Sequence, residues 1–112
     1  MEIDCVIVWT TVGTRADGQK LASTLVAEGL AACVNVLGEM ESTYRWKGQI
    51  ETEREHQVVI KTTAERVPAL KARLHALHQY ELPEFIVLPI VGGSEAYLQW
   101  IRESVIILKI DG

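Results

Sequence analysis

EMESTYRWKGQIETEREHQVVIKTT, residues 39–63, is the stretch of sequence that decides the fold. Two runs of alternating side chains lie on either side of the dipeptide Lys47-Gly48. Alternation with a period of two is typical of strands, and a Gly-containing dipeptide between two such runs favours a tight hairpin. We therefore predict two long antiparallel strands, the first bent near Gly38 and the second covering Gln49 to Thr63.

The segment before the hairpin predicts a strand and a helix. Ile3 to Thr10 (IDCVIVWT) is a short apolar run rich in β-branched residues, as in a buried strand. Thr14 stands three positions ahead of Asp17, a spacing typical of a helix N-terminus, and Gly29 suits a left-handed C-terminal cap. The predicted helix covers about Arg15 to Glu28.

A second helix is predicted directly after the hairpin. Its apolar positions step by three and four residues: Val67, Leu70, Leu74 and Leu77. This spacing predicts a helix from about Ala64 to His78. Pro68 is expected in its first turn, where a missing backbone amide costs least.

The rest of the chain predicts one more strand and a short third helix. Phe85 to Val91 is apolar, and Pro89 within it indicates an edge strand or a bulge. Ser94 can cap a helix, and the tail at 105–112 contains VIILKI, a candidate final strand. The order of elements predicts an α+β fold, a ferredoxin-like βαββαβ antiparallel sheet with two packed helices, a short third helix and long hairpin arms.

The length of the hairpin indicates contact with other chains. A strand of about fifteen residues spans close to 50 Å at ~3.3 Å per residue, whereas typical strands have five or six residues. Strand edges that extend beyond the core of one chain favour pairing with another chain. We therefore expect self-association through the arms.

Composition restricts the classes of partner. The chain has 112 residues, which is the size of one domain, predicted over 1–112, and a formal net charge of -4. An acidic chain lacks the surplus of Lys and Arg that binds phosphate backbones, so no nucleic-acid partner is expected. No apolar run reaches the ~20 residues that cross a bilayer, and the N-terminal segment has no basic region, so we expect no membrane partner and a cytoplasmic location.

The spacing of Cys and His residues gives little evidence of a metal site in this chain. Cys5 and Cys33 are too few for a disulfide framework, and no CxxC or HxxxH pattern is present. His75 and His78 are three residues apart on the predicted helix, so they form either a shared ion site or a polar helix end. The alternating acids of the third strand, Glu51, Glu53 and Glu55, form either a solvated face or part of a site for a hard cation.

Catalytic patterns are equally sparse. No GxSxG elbow and no Walker loop occurs. Arg15 follows the first strand, which is where the related fold of acylphosphatase-like hydrolases needs an arginine, but the spaced glycines of an anion-binding loop are missing. A minor acylphosphatase-like hydrolase is therefore the enzymatic alternative.

Four segments in order resemble the CutA divalent-cation tolerance family: LAACVN, YRWKGQIETEREHQVVIKT, HQYELPEFIVLPI and YLQW. The resemblance covers about Val6 to Trp100 and is specific in combining YxWxG with YxxPE. It implies a ferredoxin-like subunit whose arms pair with neighbours in a tight homotrimer. It also implies clefts between subunits like those in which PII-type signalling trimers bind effectors, a role in binding copper, zinc or another divalent metal ion, and no enzymatic activity.

The resemblance also implies which residues lie at the cleft between subunits. Eight cleft or ligand-binding positions match the family motifs: Cys33, Tyr44, Trp46, Glu55, Lys61, Tyr80, Pro83 and Glu84. His78 is the implied metal ligand. Gln79 stands where the family usually has proline, and Trp9 and Leu77 occupy positions of other proposed metal ligands, so His78 alone remains from that set. The alternative function is a structural or adaptor trimer that binds partner proteins without metal.

Overall fold

The computed structural model describes residues 4–105, which form four strands and three α-helices. In chain order the elements are β1 (Cys5–Val12), α1 (Arg15–Ala27), β2 (Cys33–Trp46), β3 (Gln49–Thr63), a 3-10 turn (Ala64–Arg66), α2 (Val67–Leu77), β4 (Ile86–Pro89) and α3 (Glu95–Ser104). This order confirms the predicted α+β, ferredoxin-like fold.

The four strands form one antiparallel sheet in the order β2-β3-β1-β4. β3 and β1 are therefore the two central strands, and β2 and β4 are the edge strands. The short strand β4 lies at the sheet edge and ends at Pro89, which agrees with the edge position predicted from that proline.

The main core lies between the sheet and helices α1 and α2. Val6 and Val8 of β1 and Val58 and Ile60 of β3 contribute the sheet side of one buried cluster. Helix α1 contributes Leu21 and Leu25, and α2 contributes Leu70 and Leu74 of its predicted apolar stripe. Because these side chains are at most 4% exposed, the helices are fixed on the sheet by hydrophobic burial.

Helix α3 packs against a second, smaller cluster. It buries Ile101 with Cys5, and Cys5 alternates along β1 with Val6 of the main core, so α3 covers the opposite sheet face. Arg102 also forms a bidentate ion pair with Asp4, just before β1. Helix α3 is therefore attached to the start of β1.

The element ends differ from the predictions by small shifts. Helix α1 begins as predicted, with Thr14 Oγ1 accepting a hydrogen bond from Asp17 N at 3.1 Å, and Gly29 follows it with a φ of 71°. The predicted helix at Ala64 begins as a 3-10 turn, and α2 proper starts at Val67. Pro68 in the first turn has no backbone amide, and this position needs none.

The hairpin has the predicted length and the predicted bend. A register shift between Val36 and Glu39 interrupts the β2–β3 pairing, and His56 Nδ1 lies 2.8 Å from the carbonyl oxygen of Leu37 beside it. At the tip, Lys47 and Gly48 have φ values of 49° and 81°, as a two-residue hairpin turn requires. We call residues 39–55 the arm. Because β1 pairs with β3 only as far as His56, β2 is the arm's only partner for its β3 half within residues 4–105.

Three further predictions concern the C-terminal tail, membrane spans and the number of domains. The candidate strand at 105–112 lies outside the described residues, except for Val105, which caps α3. None of the helices in residues 4–105 is long and apolar enough to cross a membrane. The assignment of 1–112 to one domain stays a prediction.

Candidate functional site

A groove of about 730 Å³ runs between the arm and the segment 80–86, which connects α2 to β4. Tyr44 and Trp46 line it from β2, and Glu53 and Glu55 line it from β3. The alternation of both strands places these side chains on one face of the arm. The hairpin register therefore brings two rings and two carboxylates together.

His78 fixes the start of the opposite wall. Its Nδ1 accepts a hydrogen bond from Tyr80 N at 3.0 Å, so its Nε2 carries the proton and donates to the carbonyl oxygen of Thr11 at 2.6 Å. The imidazole also packs on the Tyr80 ring, with centroids 4.7 Å apart. Both ring nitrogens of His78 are thus engaged in positioning the segment that carries Tyr80.

Side-chain hydrogen bonds attach the 80–86 segment to strand β3. Tyr80 Oη donates to Glu55 Oε2 at 2.9 Å, and this bond joins the 80–86 segment to the arm. Gln57 Nε2 donates to Glu84 Oε2 and to the carbonyl oxygen of Thr10, each at 2.8 Å. The carboxylates of Glu55 and Glu84 are therefore held in place by neutral donors.

The groove is electronegative. Four glutamates line it, Glu53, Glu55, Glu81 and Glu84, and Arg45 is the basic residue that lines it within residues 4–105. Burial and the hydrogen bond to Glu55 raise the pKa of Tyr80 well above its ordinary value. Slight desolvation, together with the negative charges of the arm glutamates, raises the pKa of Tyr44. Both phenols consequently stay neutral at physiological pH.

Six of the residues predicted for the cleft line this groove: Tyr44, Trp46, Glu55, Tyr80, Pro83 and Glu84. His78 lies beside it and holds Tyr80, as described above. Arg15, named for the hydrolase alternative, is exposed at the first position of α1.

The groove of one chain does not include Cys33 and Lys61. They pair directly across β2 and β3, and Lys61 is six residues, or ~20 Å, along the strand from Glu55. The ammonium of Lys61 lies 5.8 Å from the ring centroid of Tyr97 on α3. A shared role for these two residues with the groove would require a second chain.

Sequence reasoning missed several residues of the site. Gln57, which holds Glu84, and Glu81, which lines the groove near the arm tip, carried no recognisable motif. Their roles depend on where the 80–86 segment folds back on the sheet, and a segment without periodicity gives no such signal. Glu53 belongs to the alternating acids of the third strand, and its spacing of two residues from Glu55 is the sequence signal that places both on one face of that strand.

The described residues of one chain do not fit a copper or zinc ion. No group of three or more His, Cys, Asp or Glu side chains within residues 4–105 is arranged to hold a metal ion. His75 Nδ1 lies 2.8 Å from the carbonyl oxygen of Lys71, and His78 uses both of its nitrogens on the backbone. A metal ligated by His78 would displace one of these hydrogen bonds, and this ligand assignment stays a prediction.

Comparison with known proteins points to one family. The family model described as "CutA1 divalent ion tolerance protein" matches residues 6–104. A divalent-cation tolerance protein CutA of Thermus thermophilus is 42% identical over 98 residues, which are 88% of this chain and 95% of that protein. The chloroplastic protein CutA of Arabidopsis thaliana is 41% identical over 102 residues, which are 91% of this chain and 56% of that protein. The chain thus spans little more than half the length of the plant relative.

A solved structure of the same family is similar in both fold and sequence. The CutA structure from Synechococcus elongatus superposes with a TM-score of 0.88 at 42% identity, covering 93% of this chain and 92% of that chain. The similarity therefore extends over most of the fold and not only over the sequence motifs.

Proposed function

Because the chain belongs to the CutA1 divalent ion tolerance family, we propose that it is a non-catalytic, homotrimeric cation-binding protein of the cytoplasm. The groove between the arm and the 80–86 segment is the proposed binding site. One observation carries this proposal: four carboxylates line the groove with one guanidinium, so the site attracts positive charge. The relatives are named for tolerance of divalent cations and not for a reaction, in agreement with a binding role.

The proposed trimer rests on the exposed edge of the arm. An isolated two-stranded hairpin is marginally stable in water, and the unpaired edge of its β3 half invites another strand. Large apolar side chains are also exposed in this part of the chain, with Ile50 at 69% on the arm and Leu82 at 71% on the 80–86 segment that lines the groove. Pairing with sister chains would bury this surface and would place part of a second chain at the groove.

Copper, zinc or another divalent metal ion would then be held by groove carboxylates together with donors from a neighbouring subunit. This arrangement accounts for a family named for divalent ions and a single chain without a three-ligand group in residues 4–105. Effector binding of the PII type, in which a ligand between subunits changes the surface shown to a partner, fits the same arrangement.

Calorimetric titration of Cu²⁺ and Zn²⁺ tests the proposal. The key variant is Glu53→Gln, which removes one groove charge, and the matched control is Glu41→Gln on the other face of the arm. We expect saturable binding that Glu53→Gln weakens and Glu41→Gln leaves unchanged. Absence of binding, or equal binding by all three proteins, would contradict the proposed site. His78→Ala in the same titration tests the predicted imidazole ligand.

An adaptor trimer that packs partner proteins is the second candidate function. It is favoured by the exposure of apolar side chains away from the core, of which Val91 at 72% is the most exposed. A trimer that takes up no cation in these titrations would favour this adaptor role over cation binding.

A further inference from the structure

The groove combines negative charge with aromatic surface, and this combination suits an organic cation better than a bare ion. Beside the four glutamates, four aromatic rings line it: Tyr44, Trp46, Tyr80 and Phe85. Alkylammonium groups bind aromatic faces and carboxylates together, and their methylene chains bury against apolar walls. We propose that the groove binds a linear organic dication of the alkyl diamine or polyamine class. This inference rests on the proposed cation-binding function and names the chemical class of the ligand.

The environment of the Glu55 carboxylate favours binding of a positive charge. Its side chain lines the groove and the residue is only 8% exposed, and within residues 4–105 its one hydrogen bond comes from the neutral hydroxyl of Tyr80. No ion pair joins it to a basic side chain within residues 4–105. Within one chain this buried carboxylate therefore lacks a positive partner, which is costly, and a ligand ammonium would supply one.

The chain itself places an alkylammonium against the same kind of surface. The Nζ of Lys47 lies 5.5 Å from the ring centroid of Trp46 and 3.8 Å from Glu81 Oε2. Trp46 and Glu81 both line the groove, so an aromatic face and a carboxylate already hold an ammonium at its edge. Deeper in the groove, one ligand ammonium would meet Tyr80 beside Glu55, and a second would meet Tyr44 on the same strand face as Glu53.

The distance between the two arm carboxylates that line the groove favours a ligand with two positive charges. Glu53 and Glu55 are two residues apart on β3, so their attachment points are ~7 Å apart on one face. That separation resembles the distance between the two nitrogens of a four- or five-carbon diamine. The buried Glu55 would hold one ammonium, and the exposed Glu53 would hold the other.

Titration with 1,4-diaminobutane at low ionic strength tests this inference in the wild-type protein. The comparison compounds are 1-aminobutane, which has one charge, and 1,4-butanediol, which has none. We expect the diamine to bind at least about tenfold more tightly than the monoamine, since both carboxylates then contribute, and we expect no binding of the diol.

Variants locate the binding. Glu53→Gln is expected to reduce diamine affinity about tenfold toward that of the monoamine, whereas the control Glu41→Gln should keep it. Tyr44→Leu, which removes an aromatic face of the groove, should also lower the diamine affinity. Equal affinity of wild type and Glu53→Gln, or no difference between diamine and monoamine, would overturn the inference.

The two proposals fail differently. Binding of Cu²⁺ or Zn²⁺ that depends on Glu53, without binding of the diamine, would leave the cation-binding function standing and reject the organic dication. Binding of neither class to a folded trimer would reject both proposals.

Discussion

The two halves of strand β3 differ in their strand partners and in the burial of their side chains. Residues 56–63 lie between β1 and β2, and there the side chains alternate between buried and half-buried positions under α1 and α2. Within residues 4–105, β2 is the only strand that pairs with residues 49–55, and most of their side chains are exposed. One half of this strand thus belongs to the core and the other half to the arm, and residues of the arm line the groove. The core end is therefore packed by contacts within the chain, whereas the arm is the part to which the proposed trimer would add contacts.

The largest effect is expected from opening a cavity at the core end. Leu74 is 0% exposed in the main cluster, so Leu74→Ala should lower the free energy of unfolding by about 2–5 kcal/mol. Urea denaturation followed by circular dichroism measures the change. A loss below about 1 kcal/mol would mean that α2 does not hold the sheet as described.

A second core substitution tests close packing between α1 and β2. A Cβ at the buried Gly18 would lie 2.8 Å from Val36 Cγ1 and 3.2 Å from Val12 Cγ2, and both neighbours are stiff β-branched side chains. Gly18→Ala should therefore cost about 1–3 kcal/mol of unfolding free energy although alanine favours helices. The exposed neighbour Gln19→Ala is the matched control and should be neutral or slightly stabilising. Equal stability of both variants would show that this contact is loose.

The arm turn should respond more weakly. Gly48 has a φ of 81° with open space around it, so Gly48→Ala meets backbone strain alone and should cost about 1 kcal/mol. Gly92→Ala also meets open space, and no left-handed φ is found there, so it serves as control in thermal unfolding. A stability change for Gly92→Ala as large as that for Gly48→Ala would contradict the described turn.

The smallest effect is expected for Tyr80→Phe, which removes the hydrogen bond between the groove walls. After solvent screening, the loss at pH 7 should be about 1 kcal/mol or less. Because folding raises the pKa of Tyr80, the native state holds its proton more tightly than the unfolded chain. The stability from this bond is therefore complete below the ordinary pKa of 10.0 and declines as the pH rises above it. Denaturation at pH 8 and pH 11 should show a steeper alkaline decline in wild type than in Tyr80→Phe.

The sequence predicted the core end and the arm nearly to their ends, because both have strong periodicity. The alternation over Gln49–Thr63 and the helical stripe over α2 follow directly from which side chains are buried. The 3-10 turn at Ala64–Arg66 was missed because its residues suit an α-helix equally well. Tertiary context decides between the two.

The groove was only partly predictable. Tyr44, Trp46 and Glu55 share a face because of strand alternation, which a sequence shows. The 80–86 segment has no period, so the contacts of Tyr80 with Glu55 and of Glu84 with Gln57 depend on long-range folding. Cys33 and Lys61 would join the groove only through a neighbouring chain. No sequence pattern within one chain encodes the distance between these residues and the groove of a neighbour.

Light scattering of the purified protein after size-exclusion chromatography tests the central claim most directly. If the arms of sister chains pair with one another, the mass will be three times the 12.5 kDa of one chain and will stay constant on dilution to low micromolar concentration. A folded particle of 12.5 kDa, with its arm protected from hydrogen exchange as well as its core, would contradict the account.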